Sequence, residues 1–325
     1  MDVIDRYLRK PIIMDKYDVS VALITFHDSK HIINCMKSIY KYTYDVSLNI
    51  RVISNKSSKS HLCHINQLFP DVEIIESPVD LSHSANNNKI LQEATGRYFL
   101  ILNDDTYLTS NIIHEMVIYL DHNLDIGCMS PLLISPDGKF QYGPIADKSF
   151  LEWCMIQLGI IGLKYRIFRT APRIIKEVKG CSGAFLIVRK TVWKAIEGFD
   201  EKIPMAPNDK DLALRIHAKG WKIYYYGLSN IVHIGGETIR NDENSIIIFL
   251  RSMDIFANRY YNFIGKILCK PVLFIGSLWR TIFWGCLGLL QRGKNSNDAL
   301  SKSNMYFFQC KLVLQGNKKT DKNIF

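Results

Sequence analysis

The run Tyr98 to Thr106, YFLILNDDT, sets five apolar residues directly before Asn103, Asp104 and Asp105, and few folds accommodate that pattern. Unbroken apolar character over so short a stretch marks a strand buried on both faces, which requires helices on either side of a sheet. The strand then halts at two adjacent carboxylates. At a buried strand end such a pair repels itself and loses hydration unless a cation lies between, and oxygen ligands of this kind suit Mg2+ or Mn2+. A cation held there is a partner for phosphate. About a hundred residues on, Pro207-Asn208-Asp209-Lys210-Asp211 repeats the acidic theme and opens a helical pattern (Leu212, Leu214, Ile216) that runs to Gly220. One cluster suits a metal diphosphate; the other can supply a base.

Around this strand the chain alternates. Val19 to Phe26 reads as a strand, followed by a helical pattern through Ile32, Ile33, Met36, Ile39 and Tyr40. Leu48 to Ser54 is the next strand, His61 to Phe69 a helix, and Asp71 to Glu76 a third strand. A helix capped by Ser84 or Asn86 ends at Gly96 and leads into the acidic strand. Beyond it come a helix at Ile112 to Leu120, a strand at Gly127 to Ile134, and an irregular stretch from Asp137 to Glu177. Gly180-Cys181-Ser182-Gly183 precedes a strand at Ala184 to Val188 and a helix at Thr191 to Glu197, and Gly183 is expected to allow close approach of a ligand or a tight turn. Strands at Trp221 to Tyr226 and Ile231 to His233 follow, the latter ending at Gly235-Gly236. This spacing predicts an α/β domain with a mainly parallel, mixed sheet, whose ligand crevice lies at the strand C-terminal ends. Each polar cluster named above falls at such an end.

The net charge of +10 is unevenly placed: from Arg251 onward twelve Lys or Arg face three acids, so this segment carries +9. Apolar residues interleave these charges, which suits a membrane face and argues against nucleic acid as a partner. Helical patterns run from Phe249 to Leu268 and from Pro271 to Leu290. The second has about the ~20 residues that cross a bilayer, yet Arg280 at its centre costs roughly 2.5 to 3.5 kcal/mol on insertion, which favours a helix lying in the interface. A helix packed on the domain with solvated charges is the simpler alternative. Eight scattered cysteines without a CxxC pair indicate a reducing compartment, and the N-terminus has no secretory pattern. The expectation is a cytoplasmic protein, peripherally attached to the inner face of the cell membrane. The organisation expected is a lead segment over 1–17, a catalytic domain over 18–244, and a basic, helical, membrane-associating extension over 245–325.

Between Asp18 and Gly236 five blocks occur in order: VSVALITF, SNKSS, SANNNKILQEATGRYFLILNDDT, GCSGAFLIVRKTVWKAIEGFDE and NDKDLALRIHAKGWKIYYYGLSNIVHIGG. Together they resemble the inverting family 2 glycosyltransferases, particularly the rhamnosyltransferase-like branch of bacterial surface polysaccharide assembly. The resemblance implies a GT-A fold, a nucleotide diphosphate sugar as donor, and a glycan or lipid-linked acceptor in O-antigen or capsule assembly. It places Asn103-Asp104-Asp105 on the family's DxD-like motif, with Asp105 as metal ligand for Mg2+ or Mn2+ and Asp104 beside the donor. Asp209 falls on the general base, and His233 on a histidine that reaches the metal or diphosphate. Thr25, Ser54, Asn55, Asn87 and Gly183 are the further residues expected near donor or acceptor. A homo-oligomer is compatible with this reading.

The chain departs from the family at three places. Asn208 stands where a Glu usually precedes the base, Ser54-Asn55 where Asp-Asn ends the second strand, and Thr25-Phe26-His27 where Thr-Tyr-Asn ends the first. None removes the metal carboxylate or the base, but the second leaves UDP, dTDP or GDP donors open. Two other readings stand beside the transferase. A sugar-phosphate nucleotidyltransferase needs a glycine-rich loop after strand one, and His27-Asp28-Ser29-Lys30 has no glycine. A non-catalytic, membrane-bound subunit of a polysaccharide assembly complex would keep the fold and lose the chemistry. Asp211 is expected to be a capping or structural acid, and His61 and His64 surface residues.

Overall fold

A computed structural model of the chain describes residues 16–77, 81–141, 149–160, 172–235 and 243–315. Most of the lead segment and Gly236 lie outside them. The first half alternates β1 (Val19–Phe26), α1 (Ile32–Tyr42), β2 (Leu48–Asn55), α2 (Lys59–Leu68), β3 (Glu73–Ser77), α3 (His83–Gln92), β4 (Tyr98–Leu102), β5 (Thr106–Leu108), α4 (Ile112–His122) and β6 (Ile126–Ile134). The remainder runs β7 (Phe140–Gln141), α5 (Phe150–Gln157), β8 (Ile175–Glu177), β9 (Phe185–Arg189), α6 (Lys190–Ala195), α7 (Asn208–Ala218) and β10 (Lys222–His233). Three helices close the described chain: α8 (Glu243–Tyr260), α9 (Phe263–Leu290) and α10 (Lys294–Gln315).

These strands form one mixed sheet in the order β3-β2-β1-β4-β9-β6-β10-β5, with β7 beside β6 and β8 beside β10. The β3-β2-β1-β4 half is parallel throughout, β10 lies parallel to β6, and β9 runs antiparallel between β4 and β6. The acidic strand β4 is apolar on both faces because both are covered. Tyr98, Leu100 and Leu102 join α1, α2 and α4 in one core, while Phe99 and Ile101 join α3, α6 and α7 in another. After β1 the chain winds outward through β2 and β3, then returns to lay β4 on the other side of β1. The loops leaving the C-terminal ends of β1 and β4 therefore diverge, and a crevice opens where the strand order reverses.

Local details differ from the sequence expectation in instructive ways. The α3 cap is Ser82, whose hydroxyl accepts from the Ala85 N–H, while Ser84 and Asn86 lie buried inside the helix. The stretches expected at Trp221 to Tyr226 and Ile231 to His233 are parts of one strand, β10, which starts at Lys222 and keeps pairing with β6 across a register shift between Tyr226 and Asn230. The tail breaks at Tyr261-Asn262, not after Leu268: the Asn262 side chain accepts from the Gly265 N–H and starts α9, which continues through Pro271. Gly96 sits where β4 meets β1, and a Cβ there would lie 2.5 Å from the Ser20 nitrogen.

A third core joins α5, α8, α9 and α10 to Ile203 and Leu214. Its polar fastening is Asp211, which is fully buried as the sequence reading of a structural acid anticipates. One carboxylate oxygen accepts from Arg215 Nε at 2.7 Å, the other from Arg259 at 3.0 Å and from the Tyr260 hydroxyl at 2.6 Å. Arg259 also pairs with Asp200 at 2.6 Å, so α7 and α8 are locked together. Removing Asp211 takes one partner from each of two arginines, while Arg215 keeps Ile196 O and Gly198 O and Arg259 keeps Asp200, so Asp211→Ala is expected to lower unfolding free energy by about 2 kcal/mol, measured by chemical denaturation.

Candidate active site

The crevice is a cavity of about 590 Å³ at the C-terminal ends of β1, β2 and β4. Its floor is the turn after β4. The Asn103 N–H donates to Ala184 O, and both the N–H and hydroxyl of Thr106 donate back to Asn103 O. Asn at the first position and a closed carbonyl are what a tight turn favours. Asp104 and Asp105 are thereby fixed at its tip, and both line the cavity.

The two carboxylates sit in different surroundings. Burial, offset in part by a hydrogen bond with Ser29, and the neighbouring Asp105 charge push Asp104 up to about 6. Asp105 is 2 % exposed; its Oδ2 accepts from the Gly235 N–H at 3.0 Å, while Oδ1 has no hydrogen-bond partner. Opposite it stands His233, positioned because β5 and β10 pair antiparallel with His233 facing Thr106. Gln141 orients that ring. Its Nε2 donates to His233 O at 2.7 Å, which leaves its Oε1, 2.7 Å from His233 Nδ1, to accept the ring N–H. His233 Nε2 is then a bare lone pair, buried without a partner and 3.5 Å from Asp105 Oδ1. Burial lowers the His233 pKa, against the pull of the Asp105 charge.

Two lone pairs aimed at each other in a buried site fit a cation. An imidazole nitrogen whose other N–H is held by an amide carbonyl is a usual metal ligand arrangement. Among the described residues no cluster of three or more His, Cys, Asp or Glu forms a metal site, so this pair leaves coordination positions for phosphate oxygens and water, as hard divalent cations at nucleotide sites require.

The other expected residues divide. Asn87 and Asn55 line the cavity, but both ends of the Asn55 amide are spent on the Leu81 backbone, at 2.9 and 3.3 Å. Ser54 accepts from Ser57 N–H, and Thr25 is fully buried with its hydroxyl donating to His27 O. These three residues shape the β1 and β2 loops. Gly183 is outside the cavity lining, and a Cβ there would meet only His83 Cε1, at 3.9 Å. Asp209, half-buried in the first turn of α7, also lies outside the lining. Its charge reaches the cavity through His83, which lines the wall beside Asn103 and whose ring Asp209 favours in charged form, although burial dominates and lowers its pKa.

Sequence reasoning missed His83, and also Asn244, Ser245 and Ile248, which bring the first turns of α8 into the cavity wall. His83 carried a signal: a histidine opening the helix of a polar block, before three asparagines. The α8 residues carried none, because their role depends on a core that forms at long range.

A family model described as "Glycosyltransferase like family 2" matches residues 17–241. The O-antigen biosynthesis protein RfbC of Myxococcus xanthus is 19% identical over 234 residues; the match spans 68% of this chain and 18% of that protein's length. Among solved structures, GalNAc-T7 with UDP, GalNAc and Mn2+ is similar with a TM-score of 0.57 at 14% identity, covering 92% of this chain and 57% of that one. The mannosyltransferase PcManGT from Pyrobaculum calidifontis, in complex with GDP-Man and Mn2+, is similar with a TM-score of 0.53 at 14% identity, covering 95% and 92%.

Proposed function

The chain belongs to glycosyltransferase-like family 2, and from that premise we propose that it moves a sugar from a nucleotide diphosphate donor to an acceptor hydroxyl with inversion, using Asp209 as base. The observation that carries this is the pair of facing, unpartnered acceptors, Asp105 Oδ1 and His233 Nε2, beside a cavity at the sheet's switch point. They would hold Mg2+ or Mn2+, which would supply charge neutralisation for a nucleoside diphosphate leaving group. Asp104 and Asn87 face the donor. Asp209 takes the proton of the attacking hydroxyl, and the β1 and β2 loops enclose the nucleotide. The sugar is rhamnose or a similar hexose, by likeness to the branch, and the acceptor a glycan or lipid-linked chain of an O-antigen or capsule.

Membrane attachment forms part of this reading. Helix α9 is long and apolar enough to cross a bilayer, but only part of it packs inward. Arg280 donates to Ile156 O at 2.7 Å and to Gly276 O at 3.2 Å, where it caps the end of α5. Gly276 presses on the same end, since a Cβ there would lie 2.5 Å from Gln157 O. Spanning would strip the bond to Ile156 O and pull Gly276 away from α5. A helix lying in the interface keeps both and leaves Ile264, Ile267, Ile282, Leu289 and Leu290, all exposed, to enter the lipid. Flotation with anionic vesicles is the measure: the chain is expected to float, less so at high salt, and Leu289→Glu with Leu290→Glu to weaken binding about tenfold or more. Equal flotation of that variant removes α9 as the anchor.

The reaction itself is tested by nucleoside diphosphate release from a panel of UDP-, dTDP- and GDP-sugars with and without Mn2+. Release that depends on the cation excludes the inert-subunit reading.

A further inference from the structure

The wiring around His83 is determined by its neighbours. The Ser84 hydroxyl donates to Ile203 O at 2.7 Å, so its oxygen accepts the Asn208 Nδ2–H at 3.1 Å. The Asn208 Oδ1 accepts from the Asp209 N–H at 3.0 Å, which fixes the same amide orientation independently. Asn208 Nδ2, 3.1 Å from His83 Nδ1, is therefore a donor, and Nδ1 must be an acceptor. The ring is therefore neutral and carries its hydrogen on Nε2; it also hydrogen-bonds the Asn103 side chain, and Asn87 Nδ2 lies 3.4 Å from Nε2. An imidazolium would set an N–H against the amide N–H.

The ring is also held from outside the polar chain. Phe199 meets it edge-on at 5.8 Å, the Asn87 amide donates to the His83 carbonyl at 2.9 Å, and Gly183 leaves the space at Cε1 open. A Glu at position 208 offers only acceptors toward Nδ1 and Ser84, and this arrangement would not form.

We propose that His83 is a positioning residue for the transfer reaction: as its Nε2–H tautomer it ties the Asn103 to Asp105 turn to the helix bearing Asp209, and with Asn208 it replaces the acidic residue that usually precedes the base. This rests on Asp209 being the base. The Asn103–His83–Asn208 chain runs from the cavity wall, which Asn103 and His83 line, to the start of α7, with the diphosphate cation site at one end and the proton acceptor at the other. Its length sets their separation.

The test combines spectroscopy with kinetics on the full chain. Long-range 1H–15N correlation of 15N-histidine-labelled protein is expected to show His83 as the Nε2–H tautomer, and Asn208→Asp to convert it to an Nδ1-protonated form. With the nucleotide sugar that wild type turns over fastest, His83→Phe is expected to lose about 10²-fold in kcat, as ångström-scale misplacement costs, with donor KM and Mn2+ binding little changed. His83→Gln, which keeps an N–H directed at Asn103, is expected to recover part of that loss and covers the case in which the Phe variant does not fold. An Nδ1–H or imidazolium signal in wild type, or wild-type kcat in folded His83→Phe, overturns the proposal. Should wild type release nucleoside diphosphate from no donor, the transferase reading falls, while the tautomer still decides whether His83 is wired as stated.

Discussion

Asp209→Asn is expected to lower sugar transfer by about 10² to 10⁴-fold, the span a positioned general base contributes, while nucleotide-sugar binding persists. The substitution is nearly isosteric. Asp209 Oδ1 accepts from the Lys210 N–H at 2.8 Å, and the Asn carbonyl can keep that bond, so the first turn of α7 stays in place. What disappears is the ability to take a proton from the acceptor hydroxyl. Initial rates beside calorimetric donor affinity separate the two effects. Turnover equal to wild type would remove Asp209 from the chemistry and move the search for a base to the cavity wall.

Asp105→Ala is expected to abolish Mn2+ binding and to cost about 10³-fold or more in nucleoside diphosphate release, since a cation supplies several kcal/mol of charge stabilisation there. The companion substitution Asp105→Asn separates metal binding from folding. Its carbonyl can accept the Gly235 N–H as Oδ2 does now, and its amide can donate to the bare His233 Nε2. The metal-free variant is then expected to be more stable than metal-free wild type by about 1 kcal/mol, because a buried lone pair gains its hydrogen bond. Thermal unfolding in chelator measures this. Mn2+ should raise the midpoint of wild type and leave that of Asp105→Asn unchanged. A wild-type midpoint indifferent to Mn2+ would refute the cation site.

Much of the fold was legible because its signals are local. A strand covered on both faces is apolar throughout, so β4 stood out; β1 showed as a β-branched run, and the carboxylates after β4 marked the crevice. The pairing of Asp105 with His233 came from the resemblance alone. Its physical basis is the β5 and β10 pairing, between segments more than a hundred residues apart, and no periodicity reports such a register. Ser54 and Asn55 were expected near the donor from their places at a strand end; Asn55 lines the cavity, and the hydrogen bonds of both go to the loop backbone, which no sequence pattern reports. The helical tail was misdivided because apolar periodicity runs through Tyr261, and only the Asn262 cap breaks it.

The central claim is that Asp105 and His233 hold a cation through which this chain binds an activated sugar. The measurement that bears on it most directly is Mn2+-dependent release of nucleoside diphosphate by wild-type protein across the panel of UDP-, dTDP- and GDP-sugars. Release from at least one donor, lost on chelation, restored by Mn2+ and absent in Asp105→Ala, is the predicted result. Release that persists undiminished in chelator or in Asp105→Ala, or no release from any donor by protein that binds Mn2+, would contradict it.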